Sequence, residues 1–208
     1  MTKIKNTPSN MPKVKQESSH DYLFFEYGVD IPSRTIYLGS QSMDWEGGET
    51  GVDFMMAERF IKSIYLLDQK DGDINIISNN PGGDWYHGMA IFDAIKGARN
   101  KIKMTVFGYA MSMGSVILQA ADERVMSPNS SMMIHYGYSG MGANHPKIVE
   151  AWSNEDKKLN KVMEQIYLEK MRVVNPEFRL ERLRKMLNFD TFFTADQAIE
   201  LGLADSVL

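Results

Sequence analysis

Short β-rich runs alternate with helical patterns over residues 35–134, and this alternation constrains the fold more than any other feature of the chain. The runs predicted to be strands are residues 35–38, 73–78, 101–107, 124–126 and 132–134. Apolar residues at helical spacing from Thr50 to Leu67 separate the first two runs, and a second helix is predicted to begin at Asp84. Such alternation is typical of βαβ units on a largely parallel sheet. The predicted fold class is therefore α/β.

A long helical pattern follows over about residues 145–174, and Asn175-Pro176 ends it because proline cannot continue a helix. At 1.5 Å per residue this helix extends roughly 40 Å, too far for it to lie on a small sheet without projecting. It is predicted either to pack on its own domain or to form an arm on a neighbouring subunit. Residues 1–20 are polar and interrupted by proline, which predicts a flexible tail ahead of a single domain over residues 21–208.

The composition excludes several classes of protein. The 208 residues include no cysteine, so disulfides, thiolate metal sites and cysteine nucleophiles are excluded, and any nucleophile has to be an oxygen. No apolar run approaches the ~20 residues that span a bilayer, and the N-terminus has no apolar segment typical of a signal peptide. The net charge of −4 and the scattered lysines argue against nucleic acid as a partner. A soluble cytoplasmic protein is expected, with neither a metal site nor a cofactor.

Ser112 lies at an abrupt turn where a predicted strand ends and a predicted buried helix over residues 113–121 begins. One interpretation is structural, because a serine hydroxyl at this place can cap the helix by accepting from a free amide. The other is catalytic, because the Met113 amide and the positive end of the helix would face an oxyanion beside the hydroxyl. The string over residues 110–114 (AMSMG) differs by one residue from the nucleophile elbow of hydrolases, and alone it does not decide between the two.

Two further features fall at predicted strand ends. The turn over residues 79–84 (NNPGGD) follows one strand, and its paired glycines either form a tight turn or let the backbone approach a ligand. His135, one of four histidines, follows another strand and is either a hydrogen-bonded structural residue or a base. Sites of open α/β sheets form at the carboxyl ends of neighbouring strands, so the turn, Ser112 and His135 are predicted to lie close together.

Five motifs in order over residues 22–208 resemble the ClpP family, the proteolytic subunits of the Clp protease, which are self-compartmentalising serine peptidases. The motifs are 33–39 (SRTIYLG), 80–83 (NPGG), 108–114 (GYAMSMG), 132–135 (MMIH), and 192–198 (FFTADQA) with 201–205 (LGLAD). None of them alone would identify the family. Together and in this order they are specific to it.

The resemblance implies roles for five residues. Ser112 would be the nucleophile, His135 the general base and Asp190 the acid that orients the histidine. The amides of Gly83 and Met113 would form the oxyanion hole. Nothing in the composition selects Asp190 among the 27 acidic residues, so its role rests on the resemblance alone. The implied reaction is hydrolysis of peptide bonds through an acyl-enzyme.

The resemblance also implies an architecture and partners. It implies a crotonase-like ββα superhelix in which the helix over about residues 145–174 is a projecting handle between two heptameric rings. This favours the arm over packing on the same domain, and it implies a homo-oligomer of up to fourteen subunits. A polypeptide substrate would enter as an extended strand, fed by an AAA+ unfoldase. The implied protein is an ATP-dependent, Clp-type serine endopeptidase.

The chain departs from the family pattern beside the implied site. Asn80 and Asp84 replace the usual serine and apolar residue around Pro-Gly-Gly, and residues 136–138 (YGY) replace the usual Gln-Pro and glycine-rich strand. Because these differences alter the substrate wall, a non-catalytic subunit of a mixed ring stands as an alternative to the serine endopeptidase. The atypical N-terminal tail suggests a second alternative, a viral maturation protease that needs no unfoldase. A third is a crotonase-type acyl-CoA enzyme, because that fold family shares the glycine-backed oxyanion turn.

Overall fold

The computed structural model describes residues 19–40, 49–137 and 145–208. The predicted tail over residues 1–20 lies outside this part of the chain, except for Ser19 and His20, which begin helix α1 (Ser19–Tyr27). Tyr138, the last residue of the departure after His135, also lies outside it. The flexibility of the tail and the domain boundary at residue 21 therefore stay predictions.

The described residues form one eight-stranded sheet. Its strands are β1 (Val29–Asp30), β2 (Thr35–Gly39), β3 (Ile74–Asn80), β4 (Ile102–Met111), β5 (Glu123–Met126), β6 (Ser131–Ile134), β7 (Thr191–Thr194) and β8 (Ser206–Val207). Strands β1 and β2 pair antiparallel, as do β6 and β7, and the other pairs are parallel. The predicted α/β class with a largely parallel sheet is confirmed, and the two antiparallel pairs make the sheet mixed.

Strand β4 positions the candidate site because its two halves pair with different neighbours. Residues 103–106 pair with β5, whereas residues 109–111 pair with β6. The change occurs at Gly108, where φ is +70° and a Cβ atom would lie 2.6 Å from Asn79 Oδ1. Only glycine fits this close approach in a left-handed conformation. The residues that follow β4 are consequently brought beside those that follow β6.

Six further helices are described: α2 (Phe54–Leu67), α3 (Trp85–Gly97), α4 (Met113–Leu118), α5 (Pro146–Val174), α6 (Leu180–Leu187) and α7 (Ala195–Glu200). Helix α2 begins later than the predicted Thr50 because Asp53 caps it, its Oδ1 accepting from Met56 N–H at 2.8 Å. Helix α3 follows Asp84 as predicted, and Asp84 Oδ1 accepts from His87 N–H at 2.9 Å. The cap therefore fixes a carboxylate at the end of the glycine turn.

The core lies between the sheet and the helices that cover it. Alternate side chains of the central strands point inward and are fully buried: Ile74, Ile76, Ile102, Met104 and Val106. The period of two matches the pleat of a strand with one face on the core. Each such side chain contributes about 1.5–3 kcal/mol when it is fully buried. This core holds the strand ends in fixed relative positions.

Helix α5 occupies the range that the sequence predicts. His145 caps it, its Nδ1 accepting from Lys147 N–H at 3.3 Å. Its C-terminal half is buried against the fold through Met163, Glu164, Tyr167 and Met171, whereas its N-terminal half exposes Ile148, Val149 and Trp152. No helix within the described ranges is both long and apolar enough to cross a bilayer.

Candidate active site

Ser112 occupies a strained turn between β4 and α4. Its φ is 50° and its ψ is −123°, and such a conformation costs a non-glycine residue about 1–3 kcal/mol. The surroundings hold it in place: its N–H donates to Met133 O at 2.9 Å, and its carbonyl accepts from Ser115 N–H at 3.0 Å. The Ser112 hydroxyl makes no capping hydrogen bond to α4. The capping interpretation is therefore wrong, because the turn directs the side chain away from its own helix.

The Ser112 hydroxyl lies instead beside His135. Ser112 Oγ is 2.8 Å from His135 Nε2, and His135 Nδ1 is 2.8 Å from Asp190 Oδ1. The His135 side chain is 12% exposed and that of Asp190 is 43% exposed. The three side chains form a continuous chain of hydrogen bonds.

The register of the sheet explains why these three residues meet. In the parallel pair of β4 and β6, Met111 is opposite Met133, so Ser112 and His135 follow neighbouring strand ends. In the antiparallel pair of β6 and β7, Ile134 is opposite Thr191. The residue after Ile134 therefore faces the residue before Thr191, which places Asp190 beside His135.

This arrangement can move a proton. When Asp190 accepts a hydrogen bond from Nδ1–H of His135, the other ring nitrogen of the neutral imidazole is an acceptor. Nε2 can then take the hydroxyl proton of Ser112, and the adjacent carboxylate stabilises the imidazolium that forms. The arrangement is suited to nucleophilic catalysis by an oxygen.

The turn of Gly82 and Gly83 lies against Ser112. The two glycines have φ of +100° and +140°, and a Cβ atom on Gly82 would lie 2.6 Å from Ser112 Cβ. Val52 bridges this turn: its N–H donates to Gly82 O at 2.5 Å, and its carbonyl accepts from Asp84 N–H at 2.8 Å. Neither of these two hydrogen bonds uses Gly83 N–H. Asn80, which is fully buried, supports the turn because its Oδ1 accepts from Gly82 N–H at 2.8 Å.

A cleft of about 450 Å³ adjoins these groups. Gly83 and Met113 border it together with Ser112 and His135. Met113 is the first residue of α4, and the first amides of a helix have no acceptor within the helix. Helix α5 forms the opposite wall through Asp156, Leu159, Asn160 and Met163. Two backbone amides thus border the space beside the Ser112 hydroxyl.

Tyr136 ties the segment after β6 to helices α5 and α6. Its N–H donates to Leu187 O at 2.9 Å, and its hydroxyl donates to Glu164 Oε1 at 2.5 Å. Arg184 donates to both carboxylate oxygens of Glu164, each at 2.9 Å, and these bonds lower the pKa of Glu164. Burial raises the pKa of Tyr136 to about 12, so its hydroxyl stays a donor at neutral pH. The network fixes the position of the residue that follows His135.

A second buried pair lies behind Ser112. Ser115 Oγ donates to Ser112 O at 2.6 Å and is 2.7 Å from the hydroxyl of Tyr167. Tyr167 is fully buried, and burial raises its pKa. The pair connects helix α5 to the strained turn. Across residues 19–40, 49–137 and 145–208, no group of three or more His, Asp or Glu side chains could hold a metal ion.

The Clp protease family model matches residues 48–208 of this chain. The chain belongs to the Clp protease family. The ATP-dependent Clp protease proteolytic subunit of Deinococcus radiodurans is 33% identical to it over 88% of this chain and 83% of that protein. ATP-dependent Clp protease proteolytic subunit 3, chloroplastic, of Arabidopsis thaliana is 30% identical over 99% of this chain and 60% of that protein. The resemblance drawn from the five motifs is confirmed, and with it the prediction of a protease, which is a hydrolase.

The structure brings all five residues implied by the Clp protease resemblance to one place. Four of them border the cleft, and Asp190 reaches it through His135. Sequence reasoning missed the network of Tyr136, Glu164 and Arg184, whose members are far apart in the chain and share no motif. It flagged Asn80 as a departure from the family pattern but not its contact with the glycine turn. A polar residue at the end of a buried strand was the available signal.

Proposed function

We propose that this chain is a serine endopeptidase subunit that hydrolyses peptide bonds. Ser112 is the nucleophile, His135 the general base and Asp190 the residue that orients the histidine. The observation that carries the proposal is the hydrogen-bonded chain from Ser112 Oγ through His135 to Asp190, with both distances at 2.8 Å, at the edge of a cleft. Membership of the Clp protease family supports it.

The reaction proceeds in two stages. His135 Nε2 takes the hydroxyl proton as Ser112 Oγ attacks the peptide carbonyl carbon, and the oxygen of the tetrahedral intermediate becomes negative. The amides of Gly83 and Met113 donate to that oxygen, and removal of one such donor typically slows acyl transfer by about 10²–10³. His135 then gives its proton to the departing amine, which leaves an acyl-enzyme. Water, deprotonated by His135, hydrolyses the ester and restores Ser112.

The substrate binds in an extended conformation between the glycine turn and the segment after His135. Its main chain adds hydrogen bonds to these two segments, as in other cases of strand addition. A folded protein does not expose such a strand, so the subunit depends on an AAA+ unfoldase partner. The name of the Deinococcus relative, an ATP-dependent subunit, is consistent with that partner.

Residues 21–208 form one domain with a crotonase-like ββα superhelix, and α5 is the handle that joins two heptameric rings. The apolar side chains that the first half of α5 exposes support this role: Ile148, Val149 and Trp152. Exposed apolar groups grouped on one element are typical of an interface. The assembly acts in the cytoplasm as a closed chamber.

The test is intact mass spectrometry after treatment with a fluorophosphonate probe, which reacts with activated serines. A single adduct is expected on the parent and none on Ser112→Ala. Ser33→Ala, which removes an exposed serine outside the cleft, is the matched control and retains the adduct. Absence of an adduct on the assembled parent would replace this proposal with a non-catalytic subunit of a mixed ring.

A further inference from the structure

One face of helix α5 looks into the cleft. Its residues Asp156, Leu159, Asn160 and Met163 recur at the spacing of neighbours on one helical face, and all four line the cleft. Ser112 and His135 lie on the other side of the same space. A substrate side chain that enters beside the attacked carbonyl therefore contacts this face of α5.

The cleft carries negative charge without a compensating cation. Its lining includes the carboxylates of Asp84 and Asp156 and contains no lysine or arginine. Within the described ranges, no basic side chain forms an ion pair with Asp156, which is half-buried. Residues 138–144, which follow the His135 segment in sequence, include no lysine or arginine. The excess of carboxylates over lysine and arginine in the cleft lining favours a positively charged ligand.

Glu164, two turns further along α5, is a buried carboxylate that has a cationic partner, and it serves as a comparison for Asp156. Arg184 neutralises it with two hydrogen bonds, in keeping with the cost of burying an unpaired charge. Asp156 lacks such an arginine, and its neighbours on the helix surface are Trp152, Ser153, Leu159 and Asn160. No basic side chain of the described residues pairs with the Asp156 carboxylate, so its charge is available to a cationic ligand.

Asp84 differs from Asp156 because it has a structural role. One of its oxygens caps α3 through His87 N–H, and a negative charge is favourable at a helix N-terminus. Asp84 is exposed and borders the cleft, so its carboxylate adds to the negative field there. Asp84 therefore both caps a helix and borders the cleft, whereas Asp156 borders the cleft without a capping role.

The rest of the lining suits the stem of a long basic side chain. Trp85, Leu159 and Met163 add apolar surface to the lining that contains Ser112 and the two carboxylates. Lysine and arginine place their methylene groups on such surface while the charged head reaches a polar group. A short or purely apolar side chain would form no ion pair with Asp156.

We propose that the cleft selects peptides with lysine or arginine as the residue whose carbonyl Ser112 attacks, and that Asp156 recognises the cation. The inference rests on the proposed function, because it concerns the substrate of the same site. Asp84 strengthens the attraction as a second, more exposed carboxylate.

The test compares fluorogenic peptides that differ only in charge at this residue, lysine against norleucine and arginine against citrulline. We expect kcat/KM to be at least about tenfold higher for the charged member of each pair, a difference of about 1.4 kcal/mol. The ratio falls as salt is raised, because screening weakens the interaction. In Asp156→Asn the ratio falls by about tenfold, because the lysine and arginine rates fall more than the norleucine and citrulline rates.

Two variants serve as controls. Asp84→Ser removes the second charge but keeps a good capping residue, so it lowers the ratio by a smaller factor and leaves the helix intact. Glu155→Gln removes a neighbouring carboxylate that pairs with Lys158 and does not line the cleft, and it leaves the ratio unchanged.

Fluorophosphonate labelling of every variant separates the two levels of the proposal. If Ser112 is labelled but norleucine peptides are cleaved as fast as lysine peptides, the inference is wrong and the proposed function stands. A lysine preference that persists in both Asp156→Asn and Asp84→Ser overturns the assignment to these carboxylates. Failure of the parent to be labelled removes the proposed function and this inference with it.

Discussion

Replacement of Arg184 by methionine is expected to destabilise the protein, because it leaves Glu164 as a buried carboxylate with one neutral donor. Glu164 is 7% exposed, and Arg184 supplies two of its three side-chain hydrogen bonds. Removing one member of a buried ion pair costs about 3–5 kcal/mol. The Arg184 side chain is 48% exposed, so water reaches part of the vacated space. We therefore expect Arg184→Met to lower the free energy of unfolding by about 2–3 kcal/mol, the size of the contribution of hydrogen bonds to charged groups.

The pH dependence of this loss has a definite sign. The pKa of Glu164 is lowered in the folded protein, chiefly by its hydrogen bonds from Arg184. The pair therefore contributes stability above the unfolded pKa of glutamate, about 4.3, and that stability is lost as the pH falls through the lower folded pKa. In Arg184→Met, burial instead favours the protonated carboxyl. The difference in free energy of unfolding between parent and variant is thus constant near neutral pH and becomes smaller in acid.

The assay is urea denaturation at fixed protein concentration and at pH 7, 5 and 4, because assembly makes apparent stability depend on concentration. Lys185→Met, on the same helix but without an ion pair to Glu164, is the matched control and should change stability by less than about 0.5 kcal/mol. Glu164→Leu combined with Arg184→Met should recover much of the loss, since no charge is then buried. Equal stability of Arg184→Met and parent at pH 7, or a gap that widens in acid, would refute the reasoning.

Three other changes test the site and its supports. Gly82→Ala should abolish fluorophosphonate labelling, because the new Cβ would lie 2.6 Å from Ser112 Cβ at a φ of +100°; a labelled, normally folded variant would contradict this contact. Asp190→Asn should lower kcat for peptide cleavage by about 10⁴ without unfolding the protein, since Asp190 orients His135 from a partly exposed position; unchanged kcat would exclude that role. Asp53→Ala should lower the free energy of unfolding by about 0.5–2 kcal/mol through loss of the α2 cap, with labelling retained, and a loss near zero in urea denaturation would show that the cap is dispensable.

Local patterns in the sequence predicted most of the elements, because helices and buried strands depend on periodicity that a short window contains. Helix α5 has the predicted ends, since Pro146 suits the first turn of a helix and Asn175-Pro176 stops it. Strand β7 was not predicted as a strand, because four residues carry little periodicity and its partner β6 is distant in sequence.

The same limit applies to the candidate site. Residue types and strand ends singled out Ser112 and His135, but Asp190 is placed by the antiparallel register of β6 and β7, which no local pattern encodes. The capping interpretation of Ser112 was wrong because a backbone with positive φ cannot be read from a serine. Glu164 joins Tyr136 and Arg184 only through tertiary packing.

The backbone of Ser112 also has an evolutionary consequence. Its φ of 50° and ψ of −123° suit glycine better than any residue with a Cβ atom. Selection for stability alone would favour glycine at position 112, and Ser112→Gly should relieve strain of about 1–3 kcal/mol while it removes the hydroxyl. A lineage that lost the need for the hydroxyl would have a ready route to a more stable protein. Glycine at this position in a relative would therefore indicate that the relative has lost the serine chemistry and kept a stable fold.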